Sequence, residues 1–437
     1  MKQREAVTIF WFRRDLRLDD NTGLFHALNT GFPVLPIFIF DSTILDKLDS
    51  KWDRRVDYFH QALQNINDDL KKLDSTFCTF YGEPFNIFKT LLKQYDIQGI
   101  YCNRDYEPTA IKRDTDIAEY CKEKAVVFKA FKDQVIFDRN DILKNDGTPY
   151  TVYTPYAKNW RHQLCREDYK AKKMNWRGLY RQSFKNIHTL ADIGFQKTDI
   201  NFVKPSLNPT IIDNYDKRRD FPAENGTSRL AMALRYGTIS IRKCVEFALD
   251  HNNTWLSELI WREFFMQILY HYPKVIDCSF KNKYDFINWR NNEQEFELWC
   301  AGKTGFALVD AGMRQLNQTG YMHNRVRMVA ASFLVKDLLI DWRWGESYFA
   351  AKLNDYDLSS NNGNWQWVAG CGCDAAPYFR IFNPETQALK FDSDLKYIRQ
   401  WIPEFGTNEY PKPMVDHKAA RLRALTEYKK AVIENKL

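Results

Sequence analysis

The chain has 437 residues, 44% of them hydrophobic and 27% charged, which is typical of a globular protein with room for two domains. Lysine and arginine exceed the acidic residues by 63 − 56 = 7, a mild excess that permits a nucleic-acid partner without requiring one. The sequence contains no secretory leader and no apolar run of membrane-spanning length, so we expect a cytoplasmic protein and no membrane partner.

Cysteines and aromatic residues narrow the classes of ligand. The nine cysteines lack the paired spacing of a zinc site, and Cys371 and Cys373 come nearest to it. We therefore predict reduced thiols and no metal. The 13 Trp, 23 Tyr and 31 Phe suit either a flat aromatic ligand or an aromatic-rich core, and composition does not choose between them.

The first 130 residues alternate short apolar runs with helical patterns. Strands are predicted at 7–12, 33–40, 77–82, 99–103 and 126–131, with helices at 54–73, 85–95 and 109–124. Continuous apolarity is typical of buried parallel strands, so the pattern predicts a doubly wound, Rossmann-like α/β domain. No G-x-G-x-x-G follows the first strand, which argues against an ordinary dinucleotide site there.

The rest of the chain loses this alternation. Residues 132–205, with a basic stretch at 158–181, predict a long connector on the surface. Helices are predicted at 228–236, 240–250, 254–270, 304–319, 322–340, 345–353 and 417–431. The predicted fold class is an α/β N-terminal domain followed by an all-α C-terminal domain.

Two predicted helices have polar groups suited to a ligand, one at its start and the other along its length. Thr227 and Ser228 stand at the start of one, where with Arg229 they could hold a phosphate or simply cap the helix. On another, Glu258 lies among tryptophans. A carboxylate between indoles loses solvation and gains a raised pKa, which suits a proton donor or a partner for a base. The alternative is an i,i+4 surface ion pair of Glu258 with Arg262.

Two further stretches combine amides, cations and apolar side chains. Asn324, Arg327 and Met328 fall within one helical turn; Asn can bond a base edge, Arg can hold a charge and Met can pad a ring. Met328 alone would be a core residue. In SSNNGNWQWVAG (359–370), amides adjoin tryptophans around Gly363. The tryptophans either anchor a core behind a turn or face a bound molecule.

Together these segments resemble the photolyase/cryptochrome flavoprotein family, most closely its bacterial class I cyclobutane pyrimidine dimer photolyases. The similarity covers essentially the whole chain. It is densest in FWFRRDLRLDDN (10–21), in 218–230, in ELIWREFF (258–265) and in 302–392. It implies an α/β antenna-binding domain at 1–131, an interdomain linker at 132–205 and a helical FAD- and DNA-binding catalytic domain at 206–437.

The resemblance implies an enzyme of light-dependent DNA repair. Reduced, anionic FAD excited by blue light would transfer an electron to a cyclobutane pyrimidine dimer flipped out of UV-damaged DNA. The dimer would split into two pyrimidines and the electron would return. The enzyme would act as a monomer in the bacterial cytoplasm, on the nucleoid when bound to DNA.

The resemblance also assigns roles to residues. It assigns FAD binding to Tyr215, Thr227, Ser228, Arg229, Leu230, Trp255, Glu258, Asn324, Arg327, Asp355, Asp357 and Asn361, the last facing the flavin N5 atom. The dimer would be held by Glu258, Asn324 and Met328 and sandwiched by Trp261 and Trp367, with Arg219, Arg325 and Arg380 at the DNA. Trp365, Trp342 and Trp289 match an electron-carrying tryptophan chain, although each alone would be a core residue. Asn362 and Asn364 keep no role except as turn residues.

Three points stay open. Asp41, Asn103, Arg104 and Glu107 could contact an antenna chromophore, either methenyltetrahydrofolate or a deazaflavin, or could form a strand-end turn. A (6-4) photolyase would need two histidines near the dimer. This chain has His323 followed by Asn324, and Met328 stands where the second histidine would be expected, which argues against that activity. A signalling cryptochrome, a regulatory protein that often replaces the residue at Asn361, is the second candidate. A plain flavin oxidoreductase would need a nicotinamide-binding fingerprint, and the sequence shows none.

Overall fold

The computed structural model describes residues 4–434, which form two compact units that interleave along the chain. Unit 1 consists of the described residues within Met1–Asp141, Gln163–Leu207 and Leu230–Phe247. Unit 2 consists of those within Ile142–His162, Asn208–Arg229 and Ala248–Leu437. Part of the predicted linker therefore packs with the helical unit, and part of the predicted helical domain packs with the sheet. As functional domains, the consecutive segments 1–131, 132–205 and 206–437 stay a prediction.

Unit 1 contains a five-stranded parallel sheet with the order β3-β2-β1-β4-β5. Its strands are β1 (Ala6–Phe12), β2 (Val34–Asp41), β3 (Cys78–Gly82), β4 (Asp96–Asn103) and β5 (Val127–Phe131). Strands β1 and β2 are buried almost throughout, which explains their unbroken apolar sequence. The predicted doubly wound sheet is confirmed.

Five helices accompany the strands of this sheet. They are α1 (Thr22–Leu28), α2 (Ser42–Leu45), α3 (Arg54–Lys71), α4 (Pro84–Gln94) and α5 (Pro108–Glu123). The last three were predicted to within two residues. The short helix α1 was not predicted; Asn21 caps it by accepting a hydrogen bond from the Leu24 amide at 3.1 Å.

Within residues 4–434, fifteen further α-helices follow the sheet in the chain, so the prediction of helix beyond the α/β region is confirmed. They are α6 (Tyr153–Gln163), α7 (Arg166–Tyr169), α8 (Pro209–Ile212), α9 (Tyr215–Arg218), α10 (Ala231–Tyr236), α11 (Ile241–His251), α12 (Asn253–His271), α13 (Glu293–Ala301), α14 (Ala307–Thr319), α15 (Asn324–Ser332), α16 (Trp342–Lys352), α17 (Leu358–Ala369), α18 (Pro384–Phe391), α19 (Lys396–Trp401) and α20 (His417–Glu434). The predicted helix 322–340 is shorter, because a π-helical turn (Phe333–Asp337) follows α15. Within residues 4–434, no helix combines the length and apolarity that a membrane span requires.

Helix α17 corrects the prediction that Asn362 and Asn364 are turn residues. Asp357 caps it by accepting from the Ser360 amide at 3.2 Å, and Gly370 ends it with a φ of +87°. Asn362 is buried within the helix and donates to the Val275 carbonyl at 2.9 Å. Asn364 is an exposed helical residue. Neither amide is a turn residue, because helix packing outweighs the low helix propensity of Asn and Gly.

Helices α12 and α17 pack tightly against each other at Gly363. A Cβ atom placed on Gly363 would lie 2.1 Å from Cδ1 of Phe265, a distance that no side chain can adopt without moving its neighbour. Gly363 therefore permits a close approach, and the partner is a phenylalanine ring of α12. Glycine is required here for space rather than for backbone conformation.

We expect Gly363→Ala to lower the free energy of unfolding by about 1–3 kcal/mol, because the added methyl group forces α12 and α17 apart. The midpoint of urea unfolding measures the effect. Asn364→Ala is the matched control, since its side chain is exposed on the same helix and should change stability by less than about 0.5 kcal/mol. A Gly363→Ala variant as stable as its parent would contradict this account of the packing.

Candidate functional site

Helix α12 carries the central residues of the site. Asn252 caps it by accepting from the amides of Thr254 at 2.9 Å and Trp255 at 3.0 Å. Trp255 is buried, whereas Glu258 and Trp261 further along the helix are half-buried. The helix therefore presents a carboxyl group and an indole at a partly open surface.

Burial raises the pKa of the Glu258 carboxyl above its ordinary value, and the Arg219 guanidinium beside it opposes the shift. The raised pKa predicted for this residue is confirmed in direction. The ion pair of Glu258 that the structure shows is with Arg219, not with Arg262 four residues along the helix. The Arg219 guanidinium also lies 5.7 Å over the ring of Tyr215. A residue predicted to lie at the DNA thus holds the central carboxylate.

The neighbouring residue, Asp220, connects this carboxylate to helix α15. Asp220 accepts a hydrogen bond from the Arg325 guanidinium at 2.7 Å, and that guanidinium lies 4.3 Å over the ring of Phe391. Arg219 and Asp220 therefore join α12 to α15 through two adjacent ion pairs. A phosphate contact by Arg325 stays a prediction, and phosphate would have to compete with Asp220 for the guanidinium.

Helix α15 presents two of its predicted site residues together. The Nδ2 atom of exposed Asn324 lies 3.8 Å from Sδ of Met328, so these side chains share a face of the helix. Buried His323 caps the helix by accepting from the Arg325 amide at 3.2 Å, and burial lowers its pKa to about 4. The imidazole is therefore neutral near pH 7, and its role is to cap its own helix.

Arg327, on the same helix, makes a different set of contacts. Its Nη2 atom donates to Oδ2 of Asp355 at 2.8 Å, and its Nε atom donates to the Met322 carbonyl at 2.8 Å. The structure thus brings two predicted FAD residues, Arg327 and Asp355, into one ion pair. Asp357, a third, is the N-cap of α17.

Asn361 is oriented by a residue that the sequence did not indicate. Its Nδ2 atom donates to both the carbonyl and Oε1 of Glu346, at 3.0 and 2.8 Å. Burial raises the pKa of the Glu346 carboxyl, and the bond from Asn361 opposes that shift. The amide nitrogen is committed to Glu346, which sets the direction of the whole side-chain amide. Glutamate at 346 has no local pattern that marks it, because its partner lies on the next helix.

The three tryptophans of the predicted electron route occupy different environments. Trp365 and Trp342 are buried, and Trp289 is half-buried with its ring 5.9 Å from that of Tyr428. A Cβ atom on Gly345 would lie 2.1 Å from the Trp365 indole, so glycine lets this ring reach helix α16. Trp365 also meets the edge of Trp299 at 6.3 Å, a ring that the predicted route did not include.

The placement of Thr227 and Ser228 at a helix start needs a correction. Helix α10 begins at Ala231 with buried Leu230 as its N-cap, so Thr227 and Ser228 precede the helix and do not cap it. Arg229 is exposed, has a φ of +52° and lies 5.4 Å over the ring of Tyr321. A phosphate role for these residues would rest on the irregular segment before the helix.

The two predicted sandwich tryptophans and Arg380 lie in unit 2. Trp367 on α17 is half-buried against the unit's core, and Arg380 is exposed beyond that helix. Trp261 stacks on Tyr153, whose ring centroid is 3.6 Å away at an interplanar angle of 6°. Tyr153 lies in the segment predicted as linker, so no sequence pattern placed it beside Trp261.

The four antenna candidates make contacts inside unit 1. Buried Asn103 donates to Asp15 at 2.6 Å, and Asp41 caps α2 by accepting from the Thr43 amide at 3.0 Å. Arg104 forms an ion pair with Asp138, and Glu107 forms ion pairs with Arg14 and Arg235. These contacts support the interpretation as a strand-end turn, and an antenna role stays a prediction. Among residues 4–434, no group of three His, Cys, Asp or Glu residues is placed to hold a metal ion.

Comparison with known proteins agrees with this architecture. Residues 8–173 match the model of the DNA photolyase family, and residues 255–408 match the FAD binding domain of DNA photolyase. The deoxyribodipyrimidine photo-lyase of Synechococcus sp. is 35% identical, over 98% of this chain and 98% of that protein. A bacterial class III photolyase from Agrobacterium tumefaciens has a similar structure, with a TM-score of 0.87 and 32% identity over 99% of each chain. An archaeal photolyase from Sulfolobus tokodaii, solved with two FAD molecules, has a TM-score of 0.84 and 34% identity over 97% of this chain and 100% of its own.

We expect Arg219→Gln to raise the pKa of Glu258 further, because the guanidinium that opposes its burial is lost. A carboxyl group whose pKa is higher in the folded than in the unfolded state lowers the free energy of unfolding as pH rises from the unfolded-state pKa through the folded-state pKa. The substitution should therefore lower the free energy of unfolding more at about pH 7 than at about pH 4, as urea unfolding can measure. In the double variant with Glu258→Gln the difference should disappear. An equal loss at both pH values would contradict the coupling.

Proposed function

The chain belongs to the DNA photolyase family, with an FAD-binding domain in its helical part, and we propose that it splits cyclobutane pyrimidine dimers in UV-damaged DNA under blue light. The observation that carries this proposal is the pair of adjacent ion pairs that surrounds Glu258. Arg219 and Asp220 join the helix of Glu258 and Trp261 to the helix of Asn324 and Met328. A hydrogen-bonding carboxyl, an amide, a thioether and an indole on adjoining elements suit a pair of stacked pyrimidines.

The donor set of unit 2 fits FAD. Arg327, paired with Asp355, offers a cation beside a carboxylate, which suits a ring system that carries negative charge when reduced. Asn361, whose amide nitrogen is held by Glu346, offers a fixed amide to a ring atom. Exposed Arg229 beside the hydroxyls of Thr227 and Ser228 suits a diphosphate. When bound, reduced and excited by light, FAD supplies the electron that a pyrimidine dimer accepts.

The chain's own residues would then bind and stabilise the dimer. The raised pKa of Glu258 favours a carboxyl group that can donate a hydrogen bond to a pyrimidine carbonyl as negative charge develops there. Asn324 would bond the edge of a base, and Met328, 3.8 Å from it, would pad the ring. Trp261 and Trp367 would stack on the flipped pyrimidines.

The distribution of charge supports a nucleic-acid partner. Residues 158–185 contain nine lysines and arginines and two acids, a net +7 that equals the net charge of the whole chain. Outside this stretch the counts are 63 − 9 = 54 basic and 56 − 2 = 54 acidic residues. Within it, Arg161 donates to Oγ of Ser257 at 2.9 Å, one residue before Glu258. A basic stretch of this size suits a phosphate backbone.

His323 supports cyclobutane dimers over (6-4) products as the substrate. It is buried, neutral and bonded to its own helix, and Met328 stands where a second histidine would be needed. A cryptochrome-like photoreceptor remains the second candidate, and the repair assay decides between them. Membership of class I, a monomeric state and a cytoplasmic location with nucleoid association stay predictions.

The deciding experiment is repair by the purified, photoreduced protein. We expect blue light to restore intact pyrimidines in dimer-containing DNA, measured by chromatography of the nucleosides, with no repair in the dark. Protein that retains FAD and binds dimer-containing DNA but restores nothing under light would favour the photoreceptor.

Glu258→Ala serves as the internal test of the site. The variant should keep its flavin absorbance and lose several-fold in repair yield, because the developing charge on the dimer loses a hydrogen-bond donor. Glu295→Ala is a matched control, since Glu295 pairs with Arg290 near the start of α13. An unchanged yield in Glu258→Ala would remove its catalytic role.

The tryptophan route makes a separate prediction. Trp365→Phe should slow light-driven reduction of the bound flavin at least tenfold, because phenylalanine is far harder to oxidise than tryptophan, and should leave repair by pre-reduced protein unchanged. Absorbance during illumination with an external reductant measures the rate. Trp401→Phe, in a half-buried tryptophan outside the route, is the control. Equal rates in Trp365→Phe and its parent would refute the assignment.

A further inference from the structure

Trp261 is paired with an aromatic ring from a distant part of the chain. The rings of Tyr153 and Trp261 lie parallel, with centroids 3.6 Å apart and planes inclined by 6°. At this distance the two rings are in full van der Waals contact. Tyr153 begins helix α6, within the segment Ile142–His162 that packs with unit 2.

Tyr153 is anchored on three sides. Its backbone amide donates to Oδ2 of Asp374 at 2.9 Å, and its hydroxyl donates to the Ser257 carbonyl on α12 at 2.9 Å. Its ring also meets Phe264 edge-on at 5.9 Å. Burial raises the pKa of the hydroxyl to about 12, so the proton that makes the bond to Ser257 is retained throughout the neutral range. These contacts describe a fixed platform rather than a movable lid.

The stack determines which surface of Trp261 a ligand can use. A ring at 3.6 Å leaves no space for another ring on the same face, so a base must approach the remaining surface of the indole. Phe265, at 5.5 Å and 30°, supports the indole from its own helix. An indole that is already held in one plane loses little conformational freedom when a base stacks on it.

We propose that Tyr153 is a positioning residue for DNA repair: its ring holds the plane of Trp261 and closes one of its faces, so that a flipped pyrimidine dimer stacks on the part of the indole that Tyr153 and Phe265 leave uncovered. The inference rests on the proposed function, since it takes Trp261 as a contact of the dimer. Tyr153 touches the tryptophan and not the reacting atoms.

A double-mutant cycle in the FAD-loaded protein tests the inference. Dissociation constants are measured in the dark for one oligonucleotide with a single cyclobutane thymine dimer and for the same oligonucleotide without it. We expect Tyr153→Leu to weaken binding of the dimer-containing DNA roughly three- to tenfold, the value of an aromatic pair, and to leave binding of undamaged DNA unchanged. In a Trp261→Ala background the same substitution should have almost no further effect, because Tyr153 acts through that indole.

Two further variants separate positioning from general stability. Tyr153→Phe keeps the ring and should recover most of the affinity for dimer-containing DNA. Tyr150→Leu removes a tyrosine ring from the same segment, where its ring contact is with Tyr156, and should match the parent. If Tyr153→Leu does not fold, as judged by flavin content and circular dichroism, Tyr153→Met, whose flexible side chain adapts to an irregular gap, replaces it in the cycle.

The outcomes are distinguishable. A loss that persists in full in the Trp261→Ala background, or that is equal for undamaged DNA, overturns the positioning role while the proposed function stands. Binding by Tyr153→Leu equal to that of the parent overturns it as well. A parent protein with no preference for dimer-containing DNA contradicts the proposed function itself, and the positioning role falls with it.

Discussion

The contact of Gly363 with the ring of Phe265 is the constraint on which the arrangement of the helical site depends. Trp261 lies one turn before Phe265 on α12, and Trp367 lies one turn after Gly363 on α17, so this crossing sets the spacing of both indoles. Gly345 acts similarly on the other side, where it lets Trp365 reach α16. Glycine at each contact thus lets α17 pack closely on both α12 and α16, because the distance between two helices depends on the size of the residues at their contact.

Partly buried carboxylates, each held by a partner from another element, organise the polar part of the site. Glu258 is paired with Arg219, Asp355 with Arg327, and Glu346 with Asn361. Burial raises the pKa of both Glu258 and Glu346, and their partners oppose the shift. Carboxyl groups with pKa values perturbed in this way are typical of functional sites.

Unit 1 uses its polar residues differently. The order of its sheet reverses between β1 and β4, the place where open α/β sheets commonly bind ligands at the carboxyl ends of their strands. Here Asn103, at the end of β4, bonds Asp15, and the buried residues Asp20 and Asp133 share Arg242. Polar residues at the carboxyl ends of these strands, where a ligand would be expected, therefore form internal ion pairs and hydrogen bonds.

The sequence by itself determined the sheet, the three long helices beside it and the helical character beyond it, because apolar periodicity is a local signal and burial follows it directly. It also indicated that Glu258 would lose solvation, since its tryptophan neighbours are on the same helix. Only the tertiary structure decided that Glu258 pairs with Arg219 and that Tyr153 stacks on Trp261, because these partners are distant in the chain and carry no spacing relation to each other. Helix α17 belongs to the same category: its Asn- and Gly-rich sequence favours a turn locally, and contacts with Phe265 and Val275 on other elements make it a helix.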